Sequence, residues 1–105
     1  MTKEELRSYT TIKAELAELN RLSEKVNREA APEAAALYDE RRKKLTDKLN
    51  RFELAIESLE SVERRLLRLR YVLNLEWYQV AARINYSLQQ THRIHARALI
   101  KLKDK

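Results

Sequence analysis

Residues 75–102 read LEWYQVAARINYSLQQTHRIHARALIKL, and this stretch decides the fold. Its first part carries apolar or small residues at positions i, i+3, i+4 and i+7, which lie on a single face of an α-helix. These residues are Trp77, Val80, Ala81 and Ile84. The spacing predicts a short helix from Glu76 to Ile84 with these four side chains in the core. Trp77 is alternatively a platform for base stacking, but its position on the apolar face favours packing.

The second part of this stretch predicts another helix. Ser87-Leu88-Gln89-Gln90 fits the capping box S-x-x-Q, in which both side chains bond otherwise unpaired amides of the first turn. Behind it an apolar residue recurs every four positions, at Ile94, Ala98 and Leu102. Asn85 stands at the turn between the helices, because asparagine adopts a left-handed conformation readily and the chain has no glycine. Helices joined by such a turn approach closely near the small Ala81, so a bulky residue there would separate them.

A third helix is predicted before this pair, from Val62 to Val72. Its inward residues are Val62, Leu66 and Leu69, followed by either Val72 or Leu73. Asn74 then provides a second left-handed turn. Ser58 and Ser61 are both suitable N-caps, so we expect a hinge near residue 60 and a separate unit over residues 61–105.

Residues 1–60 carry two narrow apolar seams with steps of three and four, which is typical of helices that pack against another helix. The first consists of Tyr9, Ile12, Leu16, Leu19 and Val26, with Ser23 in the missing slot; the second consists of Leu45, Leu49, Phe52, Ile56 and Leu59. A capping box at Thr2-Lys3-Glu4-Glu5 begins the first helix. Pro32 predicts a turn over residues 27–31, although a single long helix kinked at Pro32 is the alternative. The seams pair within the chain or with a second copy; we favour both, and therefore a homodimer.

Composition restricts the fold and the chemistry. The 105 residues include no Gly, one Pro and no Cys, which predicts an all-α chain and excludes disulfides, zinc ribbons and thiol catalysis. No apolar stretch approaches the roughly 18 residues needed to span a bilayer, and the N-terminus lacks the apolar core of a signal peptide. We therefore expect a cytoplasmic protein without membrane contact and without a cofactor.

The basic charge lies in the C-terminal part of the chain. Residues 1–61 contain 12 Lys/Arg and 13 Asp/Glu, whereas residues 62–105 contain 10 Lys/Arg and only 3 Asp/Glu. No acidic residue occurs between Trp77 and Lys103, which is typical of a surface that meets a phosphate backbone; a solvated basic face is the alternative. The basic run at residues 41–44 is flanked by acidic residues, and we interpret it as a solvated helix face.

Four segments resemble the C-terminal, promoter-reading domain of bacterial sigma factors. They are Arg64-Arg65-Leu66-Leu67-Arg68-Leu69-Arg70-Tyr71, Leu75-Glu76-Trp77-Tyr78-Gln79-Val80-Ala81, Asn85-Tyr86-Ser87 and Arg93-Ile94-His95-Ala96-Arg97-Ala98-Leu99. The chain is more similar still to small phage and prophage regulators of the ArpU/RinA type. The resemblance covers about 40 of the 105 residues. Asn74 and Asn85 replace the usual turn glycines, Glu76 replaces the usual Ser/Thr cap, and residues 1–60 do not match sigma-factor core-binding regions.

The resemblance implies a helix-turn-helix that binds double-stranded DNA, with its last helix in the major groove. Transferred by position, the base-reading candidates are Leu88, Gln89, His92 and Arg93, while Thr91 and Ile94 face the core. The candidates for phosphate contacts are Tyr78, Arg83, Ser87, Arg97 and Lys101. The predicted architecture is an N-terminal helical hairpin over residues 1–60, which dimerises, and a three-helix DNA-binding domain over residues 61–105. The predicted function is transcriptional regulation of phage or prophage genes in the bacterial host cell.

Other functions are less well supported. His92 and His95 are three residues apart, but nearby Cys and carboxylates that would complete a metal site are missing. The sequence has no nucleophile elbow and no phosphate-binding loop, so no motif points to an enzyme. Two alternatives remain: an interaction module that docks on RNA polymerase, and the DNA-recognition part of a phage packaging protein resembling a small terminase subunit.

Overall fold

The computed structural model describes residues 1–104, and every regular element in that range is helical. The elements are α1 (Lys3–Arg7), α2 (Tyr9–Lys25), α3 (Pro32–Glu57), α4 (Ser61–Leu67), a π-helical turn (Arg68–Val72), α5 (Trp77–Ile84) and α6 (Leu88–Leu102). The predicted all-α class is confirmed. The molecule is elongated, with principal dimensions of 58 × 27 × 19 Å. None of the described helices is both long and apolar enough to cross a membrane.

Helices α2 and α3 run antiparallel and pack along their apolar seams. Near one end the Tyr9 and Phe52 rings are 5.8 Å apart, and near the other the Ser23 hydroxyl donates to Asp39 at 3.2 Å. The chain reverses ahead of Pro32, which occupies the first turn of α3, and does not continue as one kinked helix. Asn27 stabilises the reversal by accepting hydrogen bonds from two backbone amides. The first seam therefore packs against Leu45, Leu49 and Phe52 within a single chain, whereas Ile56 and Leu59 of the second seam join the core of the C-terminal helices.

Helix α1 packs on the C-terminal helices rather than extending α2. Thr2 caps it by accepting from the Glu5 amide, as its capping box predicts, and Ser8 ends it by donating to the Glu5 carbonyl. Leu6 is buried in the same core as residues of α3, α4, α5 and α6. The N-terminal amine also donates to the Leu102 carbonyl at 2.7 Å. The core is therefore continuous across the predicted boundary between residues 60 and 61.

Helix α4 begins one residue after an acidic cap. Glu60 is the N-cap, and its amide donates to the Glu63 carboxylate at 3.1 Å in a reciprocal capping box. The expected break near residue 60 is present, since α3 ends at Glu57 and α4 begins at Ser61, but the choice of Ser58 or Ser61 as cap is wrong. Ser58 instead donates its hydroxyl to the Ala55 carbonyl at the end of α3. A carboxylate accepts from helix-start amides as serine does, and its charge also suits that end of the helix dipole.

The π-helical turn after α4 alters which residues face the core. The Leu73 amide donates to the Arg68 carbonyl at 3.0 Å, five residues back, so one extra residue enters the turn. Tyr71 is consequently buried, Val72 is half-buried and Leu73 is 59% exposed. Regular α-helical spacing predicts Val72 or Leu73 as the inward residue. Leu73 is the wrong choice, and Tyr71 was missed.

Candidate nucleic-acid interface

Helices α5 and α6 are fixed in position by their caps and by two left-handed asparagines. Asn74 has φ 56° and Asn85 has φ 62°, as predicted for turns in a chain without glycine. Glu76 caps α5 in a reciprocal capping box with Gln79, whose side chain accepts from the Glu76 amide at 2.9 Å. Ser87 caps α6 and accepts from the Gln90 amide at 3.1 Å. The acidic residue at the start of α5 is therefore an effective cap.

One side of α6 is buried against the other helices. As predicted, the inward residues include Thr91, Ile94, Ala98 and Leu102, and the Thr91 hydroxyl donates to the Ser87 carbonyl at 2.8 Å. His95 is also buried, which the apolar periodicity did not predict because histidine is a polar residue outside that repeat. The opposite side of α6 is exposed and carries residues at i, i+4, i+7 and i+11, namely Gln89, Arg93, Ala96 and Ile100.

The four base-reading candidates lie together on the first two turns of α6. Leu88, Gln89, His92 and Arg93 are all exposed. Gln89 and Arg93 form no side-chain hydrogen bond or ion pair with residues 1–104, so their polar groups are available to a ligand. The ring of His92 lies 4.7 Å from that of Trp77 and is supported on one side by it.

Trp77 is packed at the start of α5, where it contacts several polar side chains. Its ring lies 4.7 Å from that of His95, and the Arg70 guanidinium lies 4.8 Å from its centroid. Val80, Ala81 and Ile84 on the same helix face are buried, as predicted, while Trp77 itself is half-buried. The indole therefore connects α5 to α6 and to the π-helical turn rather than standing free as a base-stacking platform.

His95 forms a buried hydrogen bond with Tyr71. The Tyr71 hydroxyl and His95 Nε2 are 2.7 Å apart, and the two rings are stacked at 5.8 Å. Burial first, and then the positive charges of Lys3, His92, Arg70 and Arg7, lower the pKa of His95 to about 4. The His95 imidazole is therefore neutral at physiological pH and belongs to the core, not to a surface metal site. Within residues 1–104 no cluster of three or more His, Asp or Glu is placed to hold a metal ion.

The five phosphate candidates fall into three groups. Tyr78 and Arg83 are exposed and have no side-chain partner within residues 1–104. Ser87 is exposed, but its hydroxyl accepts from the cap amide of α6. Arg97 and Lys101 already bind the carboxylate of Glu63 on α4, at 3.2 Å and 2.9 Å. Sequence reasoning did not identify Glu63 as their partner.

Glu63 is fully buried and ionised. Burial alone would raise the pKa of its carboxyl group. The hydrogen bonds from Lys101, from the Glu60 amide and from Arg97 outweigh burial, so its pKa lies below the ordinary value. Arg97 remains 54% exposed, so its guanidinium still contributes positive charge to the surface of α6.

Comparisons with protein-family models, with curated proteins and with solved structures find no match for this chain. The chemistry of the α5–α6 surface is therefore the main guide to function. That surface combines exposed cations, an exposed amide and exposed apolar groups, and the sequence from Trp77 to Lys103 has no acidic residue to repel a polyanion.

Proposed function

We propose that this chain is a sequence-specific, double-stranded DNA-binding protein in which α5 and α6 act as a sigma-factor-type helix-turn-helix. The single observation that carries this proposal is the outward side of α6. Gln89 and Arg93, which are well suited to base recognition, are exposed there without side-chain partners in residues 1–104, on a helix with no acidic residue.

The major groove admits an α-helix, and the chemistry of α6 suits its base edges. Arginine bonds the O6 and N7 atoms of guanine in bidentate fashion, and glutamine bonds adenine in the same way. Arg93 and Gln89 supply these groups one turn apart, and Leu88 supplies an apolar contact for a thymine methyl. Each good bidentate pair discriminates against the wrong base by about 1–3 kcal/mol.

Phosphate contacts in this proposal come first from α5. Tyr78 and Arg83 are exposed and unpaired within residues 1–104. Ser87 at the start of α6 adds a hydroxyl close to the groove. Arg97 and Lys101 add positive charge while they remain bound to Glu63, so their effect on affinity is long-range and sensitive to salt. Contacts of this kind orient a protein on DNA without reading its sequence.

The resemblance to phage and prophage regulators of the ArpU/RinA type suggests the biological role. We propose transcriptional control in a bacterial host, by a homodimer. In that arrangement the hairpin of residues 1–60 supplies the dimerising surface and residues 61–105 supply the DNA-binding helices, and the two segments share one core. Mass measurement in solution discriminates between the classes, because a dimer fits a regulator and a ring fits a phage packaging protein.

Chemical-shift mapping tests the proposed surface. A ¹⁵N-labelled chain is titrated with a mixed-sequence duplex at low salt. We expect the largest shifts at residues 87–93 and at Tyr78 and Arg83, with small shifts on α2, which serves as the internal control. Shifts centred on α2 and α3, or no shifts at low salt, would rule out the proposed interface.

Docking on RNA polymerase is the second candidate, and one observation favours it. Ile100 is 71% exposed on the same side of α6 as Arg93, and Leu88 is 47% exposed, so this side also offers apolar contacts. A pull-down with purified RNA polymerase tests this function, with Ile100→Ser expected to weaken capture. Capture that is unchanged by Ile100→Ser would exclude α6 as the docking surface.

A further inference from the structure

A cluster of cations lies beside the candidate interface, where α1 meets the π-helical turn. Lys3 and Arg7 are one turn apart on α1, and both line a cleft of about 150 Å³ together with Arg70, Tyr71, Asn74 and Trp77. Neither Lys3 nor Arg7 forms an ion pair or a side-chain hydrogen bond with the rest of residues 1–104. Two full positive charges on one cleft therefore have no internal partner in the described chain.

Arg70 completes the cluster and is held rigidly. One of its nitrogens donates to the Leu75 carbonyl at 2.8 Å, and its guanidinium stacks on Trp77. An arginine has five donors, so others remain for a ligand, and stacking reduces the entropy lost when a ligand binds. The pKa of His95, which burial lowers first, is lowered further by Lys3, Arg70 and Arg7. This agrees with the position of the three cations on one cleft.

The position of α1 is fixed by the core rather than by chance surface contact. Leu6 is 1% exposed between the C-terminal helices and α3, which directs Lys3 and Arg7 toward the cleft. Side-chain contacts connect the cleft to α6: Arg70 stacks on Trp77, and the Trp77 ring contacts that of His92. His92 is one of the base-reading candidates, so the cluster flanks the proposed DNA surface directly.

We propose that Lys3, Arg7 and Arg70 form a binding site for a phosphodiester group of the DNA backbone, so that α1 extends the interface of α5 and α6. This inference rests on the proposed function and deepens it. Its ligand is a phosphate of the same duplex that α6 contacts. The N-terminal segment then has a role in DNA binding in addition to its proposed role in dimerisation.

The test compares two variants of equal net charge by fluorescence anisotropy with a mixed-sequence duplex. Lys3→Gln/Arg7→Gln removes two charges from the cleft. Lys25→Gln/Lys43→Gln removes two exposed charges from α2 and α3 that form no ion pair within residues 1–104. Affinity is measured from 50 to 200 mM salt, and circular dichroism confirms that each variant is helical.

We expect the cleft variant to bind more weakly and to have a shallower dependence of log affinity on log salt, by about 1 for the one lost phosphate contact. The control variant should keep the wild-type slope. A charge-retaining variant, Lys3→Arg/Arg7→Lys, should recover the wild-type slope. Equal slopes for the cleft and control variants would overturn the inference while wild-type binding still supported the proposed function.

Two further outcomes are informative. No wild-type binding at low salt would reject the proposed function itself, and the inference with it. Inorganic phosphate provides the second arm, followed through the Trp77 indole and Arg70 signals. If millimolar phosphate saturates the cleft while the duplex leaves those signals unchanged, the site is specific for a free anion, and the backbone assignment is wrong.

Discussion

The Nζ atom of Lys101 lies 2.9 Å from Oε1 of Glu63, and this contact joins the end of α6 to the start of α4. Arg97 binds the other carboxylate oxygen at 3.2 Å, one turn earlier on α6. A fully buried carboxylate thus holds two cations of the proposed DNA-binding helix, 34 and 38 residues away along the chain. The orientation of α6 is determined by this contact as well as by apolar packing.

Replacing the buried carboxylate should destabilise the fold. Glu63→Gln keeps the shape but removes the charge that three donors share, leaving at least one hydrogen bond unmade. We expect a loss of about 1–3 kcal/mol in the free energy of unfolding. This loss is smaller than the largest losses measured when buried ion pairs are broken, because Arg97 and Lys101 are partly exposed and can be solvated by water. Urea unfolding measures it. Glu57→Gln, which removes an exposed partner of Arg68, is the control and should change stability by less than about 1 kcal/mol.

His95 should make stability depend on pH. Its folded pKa, near 4, lies below the ordinary 6.5, so between these values the unfolded chain binds more protons. The stability that the neutral His95 contributes is therefore fully present above pH 6.5 and is lost as the pH falls toward 4. We expect a loss of about 2 kcal/mol between pH 7 and pH 5. Thermal or urea unfolding across this range measures the loss.

The matched control for this pH effect is the double variant Tyr71→Phe/His95→Phe. It removes both partners of the buried hydrogen bond together and keeps two aromatic rings, so no polar atom is left unpaired. Its stability should vary much less between pH 7 and pH 5. An unchanged pH dependence in the double variant would show that another group is responsible.

The left-handed turn between α5 and α6 should require a residue that tolerates positive φ. Asn85→Ala places a Cβ at φ 62° without the favourable local hydrogen bonding of asparagine, and we expect a loss of about 1 kcal/mol. Asn85→Gly should stay within about 0.5 kcal/mol of wild type, because glycine adopts this conformation freely. Equal losses for both variants would indicate that the Asn85 side chain, rather than its backbone conformation, stabilises the turn.

Close packing at Ala81 should exclude larger residues. Ala81 is buried on α5, whereas its neighbour Ala82 is exposed. Ala81→Leu should cost about 1–3 kcal/mol through overpacking. Ala82→Leu adds the same atoms on the solvent side and should be nearly neutral. If both variants unfold at the same urea concentration as wild type, α5 has room for a larger side chain at this position, and the predicted close approach of α5 and α6 is wrong.

Local signals in the sequence predicted much of the fold. The capping residues Thr2 and Ser87, the turn before Pro32 and the left-handed Asn74 and Asn85 each depend on a few neighbouring residues. The apolar seams gave the inward sides of α2, α3 and α6 for the same reason. Such features follow from propensity, capping and periodicity.

Contacts between distant residues could not be predicted in this way. Periodicity assigns a charged residue to the surface, so Glu63 was missed, because its burial depends on Arg97 and Lys101. The π-helical turn contains one extra residue, which places Tyr71 in the core. No residue propensity in the sequence indicates such a turn. Leu6 joins α1 to the C-terminal core through contacts with residues far along the chain, which a seam within residues 1–60 does not reveal.

A salt titration of DNA binding by wild type, Arg93→Ala and Arg21→Ala tests the central claim most directly. Arg21 is exposed on α2, forms no ion pair within residues 1–104 and provides a variant of equal charge. Using a duplex chosen by site selection and a mixed-sequence duplex, we predict that wild-type binding weakens steeply with salt. We also predict that Arg93→Ala loses about 1–3 kcal/mol on the selected site only, while Arg21→Ala stays near wild type. Equal losses for both variants on both duplexes, or no wild-type binding at low salt, would contradict base recognition by α6.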